Sequence, residues 1–162
     1  MTTATDLTAL HDTAARFLSA FIDPKTASDR ASSTLQLRPR EEDYARVFTE
    51  AAVTIARDNY ERLWTNITPI QGKPTHSVVL AWIALSQNLG GPDGEHFPGG
   101  YQKILDRLQP NIPWIAWKFV APGQVHGMAY DGLVRLDDRW VWFPKPWKLI
   151  VRNTSGLDYM TD

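Results

Sequence analysis

The chain reads as an α+β fold: four or five helices in the N-terminal two-thirds, packed on a small, mostly antiparallel sheet formed by the C-terminal third. Three observations predict it. Apolar residues recur every three or four positions through the first hundred residues, the period of a helix with one buried stripe. From Trp114 the period changes to two, as in strands. Five of the seven tryptophans then fall in that last third, at 114, 117, 140, 142 and 147, where large aromatics either fill a sheet core or form a rigid binding surface.

The first helix is set by Leu7, Leu10, Ala14, Phe17, Leu18 and Phe21, with Thr5 or Asp6 as N-cap and Pro24 as terminator. Residues 25–36 are rich in Ser, Thr, Ala and charge and lack an apolar period, so they read as a mobile connection. Pro39 and the acids Glu41, Glu42 and Asp43 then suit a helix start. The stripe Tyr44, Val47, Phe48, Ala51, Ile55, Tyr60, Leu63 and Trp64 continues that helix, with a break possible where Thr49 could cap a new one. Its mixed charges mark a solvated face. For residues 75–89, Val78, Val79 and Ile83 would suit a buried strand, but length and the Gly90-Gly91 pair favour a buried helix. The glycine-rich stretch 90–100 is a loop, followed by a short helix carrying Tyr101, Ile104, Leu105 and Leu108.

In the β part, Asp137-Asp138 separates two alternating runs and predicts a tight hairpin, pairing Leu136 with Arg139, Arg135 with Trp140, Val134 with Val141 and Leu133 with Trp142. One side then carries Val134, Leu136, Val141 and Phe143, and the other Leu133, Arg135, Trp140 and Trp142. Trp114 begins a further strand, residues 126–130 form another, and residues 148–152 are expected to close the sheet after Pro144-Lys145-Pro146. One domain over residues 1–162 is expected, helical over about 5–109 and β over about 114–152.

Composition narrows the function more than it names it. With a formal net charge of -1, no overall field would hold the protein on nucleic acid or an anionic membrane. The absence of cysteine excludes disulfides, thiolate catalysis and cysteine-held metal centres. The start, Met1 to Asp6, lacks a secretory pattern, and the longest apolar run, eight residues, is far short of the roughly 20 that span a bilayer as a helix. A cytoplasmic protein is expected.

The leading candidate site is an aromatic and cationic sheet face bearing Trp114, Lys118, Arg135, Trp140 and Trp142, with Trp147 beyond the prolines. Indole planes beside cations can stack on a planar ligand, hold an anion or anchor a protein, because Trp and Arg dominate interface hot spots. The competing account is that helices cover this face and Arg135 stacks on Trp140 as structure. Six cations against Asp131, Asp137 and Asp138 make residues 111–152 locally positive, yet the excess is too small to favour single-stranded nucleic acid.

His126, Tyr130 and Asp131 suggest acid–base work on a ligand in a tryptophan-lined cavity, although alternation directs His126 and Asp131 to opposite sides unless a bulge intervenes. His76, His96, Asp93 and Glu95 lack metal-ligand spacing, and the glycine loop lacks a phosphate-binding fingerprint. The reading is therefore a non-catalytic binding protein for a protein partner or small ligand, with no cofactor or metal. The alternative is a pocket protein or small-molecule enzyme using His126, Tyr130 and Asp131. Self-association through the tryptophan face is a third possibility.

Overall fold

The computed structural model describes residues 4–23 and 29–150. The fold is α+β, with helices leading and strands following. Helix α1 (Ala4–Ser19) runs into a 3-10 turn, Ala20–Ile22, and buries Ala14, Leu18, Phe21 and Ile22 along the stripe its spacing sets. A second helix, α2 (Arg30–Leu35), occupies half of the segment expected to be a mobile connection, and residues 25–28 of that segment lie outside the described residues. What orders α2 is tertiary. Thr34 is buried, its hydroxyl donates to the Arg30 carbonyl at 2.8 Å, and the same oxygen accepts the Ile70 N–H at 3.0 Å.

The long helix is interrupted where Thr49 allows it, giving α3 (Asp43–Val47) and α4 (Glu50–Trp64). The cause is a short ladder to a distant segment. Phe48 bridges Leu108, Thr49 N–H bonds the Arg107 carbonyl at 2.9 Å, and Gln109 N–H bonds the Val47 carbonyl at 2.8 Å. Phe48 and Thr49 are thus extended, and α4 restarts with Ala52, Ala56, Tyr60 and Trp64 buried at four-residue intervals.

Residues 75–89 do not form the expected helix. They contain strand β1 (Val78–Leu85), all eight residues of which pair antiparallel with β2 (Pro113–Val120), from Val78 opposite Val120 to Leu85 opposite Pro113. The β-branched residues tipped the balance once a partner strand was there to satisfy the backbone. The helix expected over 101–108 is likewise two short 3-10 turns, Gly99–Lys103 and Leu105–Arg107, although Tyr101, Ile104 and Leu108 are buried as anticipated.

The sheet continues through β3 (Gly127–Leu136) and β4 (Arg139–Trp142) as an antiparallel meander in sequence order. The β3–β4 hairpin has the register expected at all four pairs. Asp137 takes the left-handed conformation at φ 57°, which aspartate tolerates. Residues 148–150 do not form the expected closing strand: α5 (Pro146–Leu149) occupies that stretch, with proline at its start, and residues 151–152 lie outside the described residues.

Both faces of the sheet are covered. On the first, Phe17 of α1 stacks on Trp140 at 6.1 Å and Trp64 of α4 meets Trp142 edge-on at 6.0 Å. On the second, Phe143 sits edge-on to Tyr44, Phe48 and Tyr60, and Tyr101 packs on Trp114. Helix α4 therefore passes the β4 side of the sheet and serves both layers. The guanidinium of Arg139 grips the fully buried Asp43, and Arg46 holds Asp137 at 2.7 Å, so α3 is tied to the hairpin by two ion pairs. Among the described residues, no helix is long and apolar enough to cross a membrane.

Candidate functional site

The sheet register divides the tryptophan face. Trp114 lies opposite Val134, so Trp114 and Lys118 belong to the second face, while Leu133, Arg135, Trp140 and Trp142 belong to the first. The expected single surface is two surfaces. Nor is either surface open at its tryptophans: Trp140 is 9% exposed and Trp142 4% in the hairpin, and Trp114 0% on β2. Arg135 does lie over Trp140, with its guanidinium carbon 4.6 Å from the ring centroid, and it also bonds the Asp137 carbonyl at 3.2 Å. Trp114 donates its indole N–H to the Ser86 hydroxyl at 3.0 Å, and Trp142 donates to the Asp131 carbonyl at 2.8 Å.

The open space lies at the first half of β3, where Gly132 interrupts the ladder. Its φ is 86°, and a Cβ there would stand 2.0 Å from the Phe143 carbonyl oxygen, so only glycine lets the two backbones approach. The Gly132 carbonyl accepts the Phe143 N–H at 2.7 Å, and the β2–β3 register shifts between Ile115 and Trp117. This bulge aims Asp131 inward.

Asp131 is 5% exposed. One carboxylate oxygen accepts the Tyr101 hydroxyl at 2.8 Å and the Lys145 backbone N–H at 3.0 Å. Burial pushes its carboxyl above the ordinary 3.8, against the opposing pull of those two donors and of the Lys145 and Lys148 charges. Burial, reinforced by the neighbouring Asp131, holds the Tyr101 hydroxyl well above 10. Lys145 itself sits at φ 48°, a left-handed turn that starts α5 and directs its N–H at the carboxylate.

Two cavities flank this point. The larger, about 580 Å³, has apolar walls from Leu63, Ile67, Tyr130, Trp142 and Leu149, and cations from Arg62, Lys145 and Lys148. The smaller, about 440 Å³, is lined by Trp82, His96, Phe97, Lys118 and Trp147. Ala129, Tyr130, Asp131 and Lys145 belong to both. In the smaller cavity the Trp82 and His96 rings stack at 4.5 Å, the Lys118 ammonium stands 5.9 Å from the Trp82 centroid, and Trp147 leans on Tyr101 at 5.1 Å.

Of the six residues expected to bind, the cavities gather Trp142, Lys118 and Trp147, and leave out Trp114, Arg135 and Trp140. Of the acid–base set, Tyr130 and Asp131 line both cavities, whereas His126 is exposed in the loop before β3 and lines neither. Sequence reasoning missed Trp82, Leu63 and Ile67 as cavity residues and weighed His96 only as a metal ligand. Trp82 was hidden inside a segment read as helix, and nothing local marks Leu63 and Ile67 as lining a cavity. His76 is buried, its ring accepting the Lys73 N–H at 3.0 Å. Among the described residues, no three His, Asp or Glu side chains are grouped to hold a metal ion.

No protein-family model matches the chain, and no curated protein or solved structure is significantly similar to it.

Proposed function

We propose that this is a non-catalytic binding protein whose ligand seat is the larger cavity beside β3, and that the ligand joins an apolar body to an anionic group. One observation carries the reading: a cleft of about 580 Å³ with aliphatic and aromatic walls is met by three cations and one carboxyl, Asp131. That volume lies within the range of small-molecule sites, which combine apolar walls with a few placed polar groups. Asp131 feels the Lys145 and Lys148 charges, yet it is one carboxyl against three cations on the cleft wall, so an entering anion meets a surplus of positive charge.

The reading in which Asp131 and Tyr130 act chemically on the ligand is supported by the raised carboxyl at the wall of both cavities. Against it, His126 lines neither cavity. Binding is the better supported role.

Anilinonaphthalene sulfonate and its uncharged relative N-phenylnaphthylamine share an aromatic body and differ in the anionic group. On the folded protein the sulfonate should bind saturably, about tenfold more tightly than the neutral probe, a difference of about 1.4 kcal/mol. Replacing Lys145→Glu and Lys148→Glu together should erase that preference, and added salt should weaken it. Equal affinity for the two probes, or no saturable binding of either, would overturn the reading.

A further inference from the structure

Strand β3 has ten residues and β4 has four. Because β4 pairs with residues 133–136, residues 127–131 have β2 along one side and, among the described residues, no strand along the other. The other edges of the sheet are met. His11 of α1 bonds the Ala81 carbonyl of β1 at 2.7 Å, and the Trp142 N–H of β4 bonds the Leu37 carbonyl at 3.0 Å. The stub of β3 is different: Gly127 and Ala129 are exposed although β2 lies beside them, and Val125, two residues before β3, is 63% exposed. Bare strand edges are templates for another strand, and this one carries no charged side chain to blunt it before Asp131.

The two cavities open mainly to opposite faces of this stub and meet at its edge, where Ala129 and Tyr130 line both. Trp142, peculiar to the larger, belongs to the first face, and Trp82, Ala116 and Lys118, peculiar to the smaller, belong to the second, with Trp117 of the first face at the smaller cavity's wall. Successive side chains of a strand point to opposite faces. A strand laid along residues 127–130, about 13 Å of edge at roughly 3.3 Å per residue, would therefore place one side chain in each cavity.

We propose that an extended acidic peptide adds to β3 along residues 127–130, seating an aliphatic side chain in the larger cavity and its aromatic neighbour in the smaller. The aliphatic pocket follows from Leu63, Ile67 and Leu149, and the aromatic one from the Trp82–His96 stack and Trp147. The acidic character follows from charge complementarity, since Lys118, Lys145 and Lys148 surround the stub while Asp131 is the one carboxyl lining either cavity. Main-chain hydrogen bonds would supply affinity and the alternating pockets specificity, the general mode of strand addition. The inference rests on the binding reading above and specifies its ligand class.

The test uses two capped hexapeptides, Glu-Glu-Leu-Phe-Glu-Glu and the same with Leu and Phe exchanged, titrated by calorimetry beside the sulfonate probe. One of the two should bind saturably, compete with the probe, and slow amide exchange at residues 127–130. Methylating alternate backbone nitrogens should weaken binding at least tenfold, and so should inserting one glycine between Leu and Phe, which turns both side chains to the same face. Ala129→Glu, at an exposed position, should abolish peptide binding with the fold intact by circular dichroism. Peptide binding indifferent to both methylation and spacing overturns strand addition. Failure of both peptides while the sulfonate still binds overturns it too and leaves the cavity reading standing. Failure of peptides and sulfonate alike removes both.

Discussion

Asp131 shows how much a single residue's meaning depends on where the backbone puts it. Its neighbourhood in the chain suggested His126 as a partner, but its bonds go to Tyr101, thirty residues away, and to the Lys145 N–H. A bulge in this strand was weighed from the sequence only as a condition, and not at Gly132, where the register shifts. The partners were not legible at all, because nothing local encodes them. Burial raises the folded-state pKa of this carboxyl above 3.8, so ionisation opposes folding. The penalty is absent below the unfolded pKa, grows as pH rises from there, and is complete above the folded value. Asp131→Asn keeps an oxygen for both donors and removes the charge. It is expected to unfold at a higher temperature than wild type at pH 7, with the gap narrowing as pH falls through the raised folded-state value and gone once pH is below 3.8. A variant no more stable than wild type at pH 7 would show that the charge carries no net penalty.

At the scale of elements, the difference between what was legible and what was not is clearest in two segments. The β3–β4 hairpin was readable to the residue, because alternation on both sides of a two-residue turn admits one register. Residues 75–89 were misread, because a continuous apolar run has the same periodicity as a buried helix or a buried strand, and only the pairing of β1 with β2 separates them. Gly132 is the element-level hinge of the site. Replacing it with alanine would force a Cβ to 2.0 Å from the Phe143 oxygen in a conformation L-residues avoid. Gly132→Ala should cost roughly 2 kcal/mol or more in denaturant unfolding, with weaker sulfonate-probe binding because the bulge shapes both cavities. A cost under about 0.5 kcal/mol, the usual range of an inert surface change, would mean the strand relaxes around it.

For the whole molecule, the aromatic residues are the joint between layers. Trp140 is clasped by Phe17 of α1 and Trp142 by Trp64 of α4, while Phe143 on the second face meets Tyr44, Phe48 and Tyr60. Each of Trp140→Ala and Trp142→Ala should lower unfolding free energy by about 3 to 5 kcal/mol. Near- and far-ultraviolet dichroism should report the same shifted transition, since both layers lose the contact together. A loss below about 1 kcal/mol at either position would indicate a ring exposed in solution and restore it as a contact surface.

What the chain determined by itself was class and local order: helices where apolar residues fall on one stripe, a hairpin where they alternate around an acidic pair, and no thiol chemistry. Tertiary structure decided that β1 is a strand, that the hairpin tryptophans are covered, and that two cavities open beside a shortened β4. The reason is physical. Periodicity specifies which side chains share a side, whereas what lies against that side is set by segments far along the chain, and so by the free energy of the assembled fold.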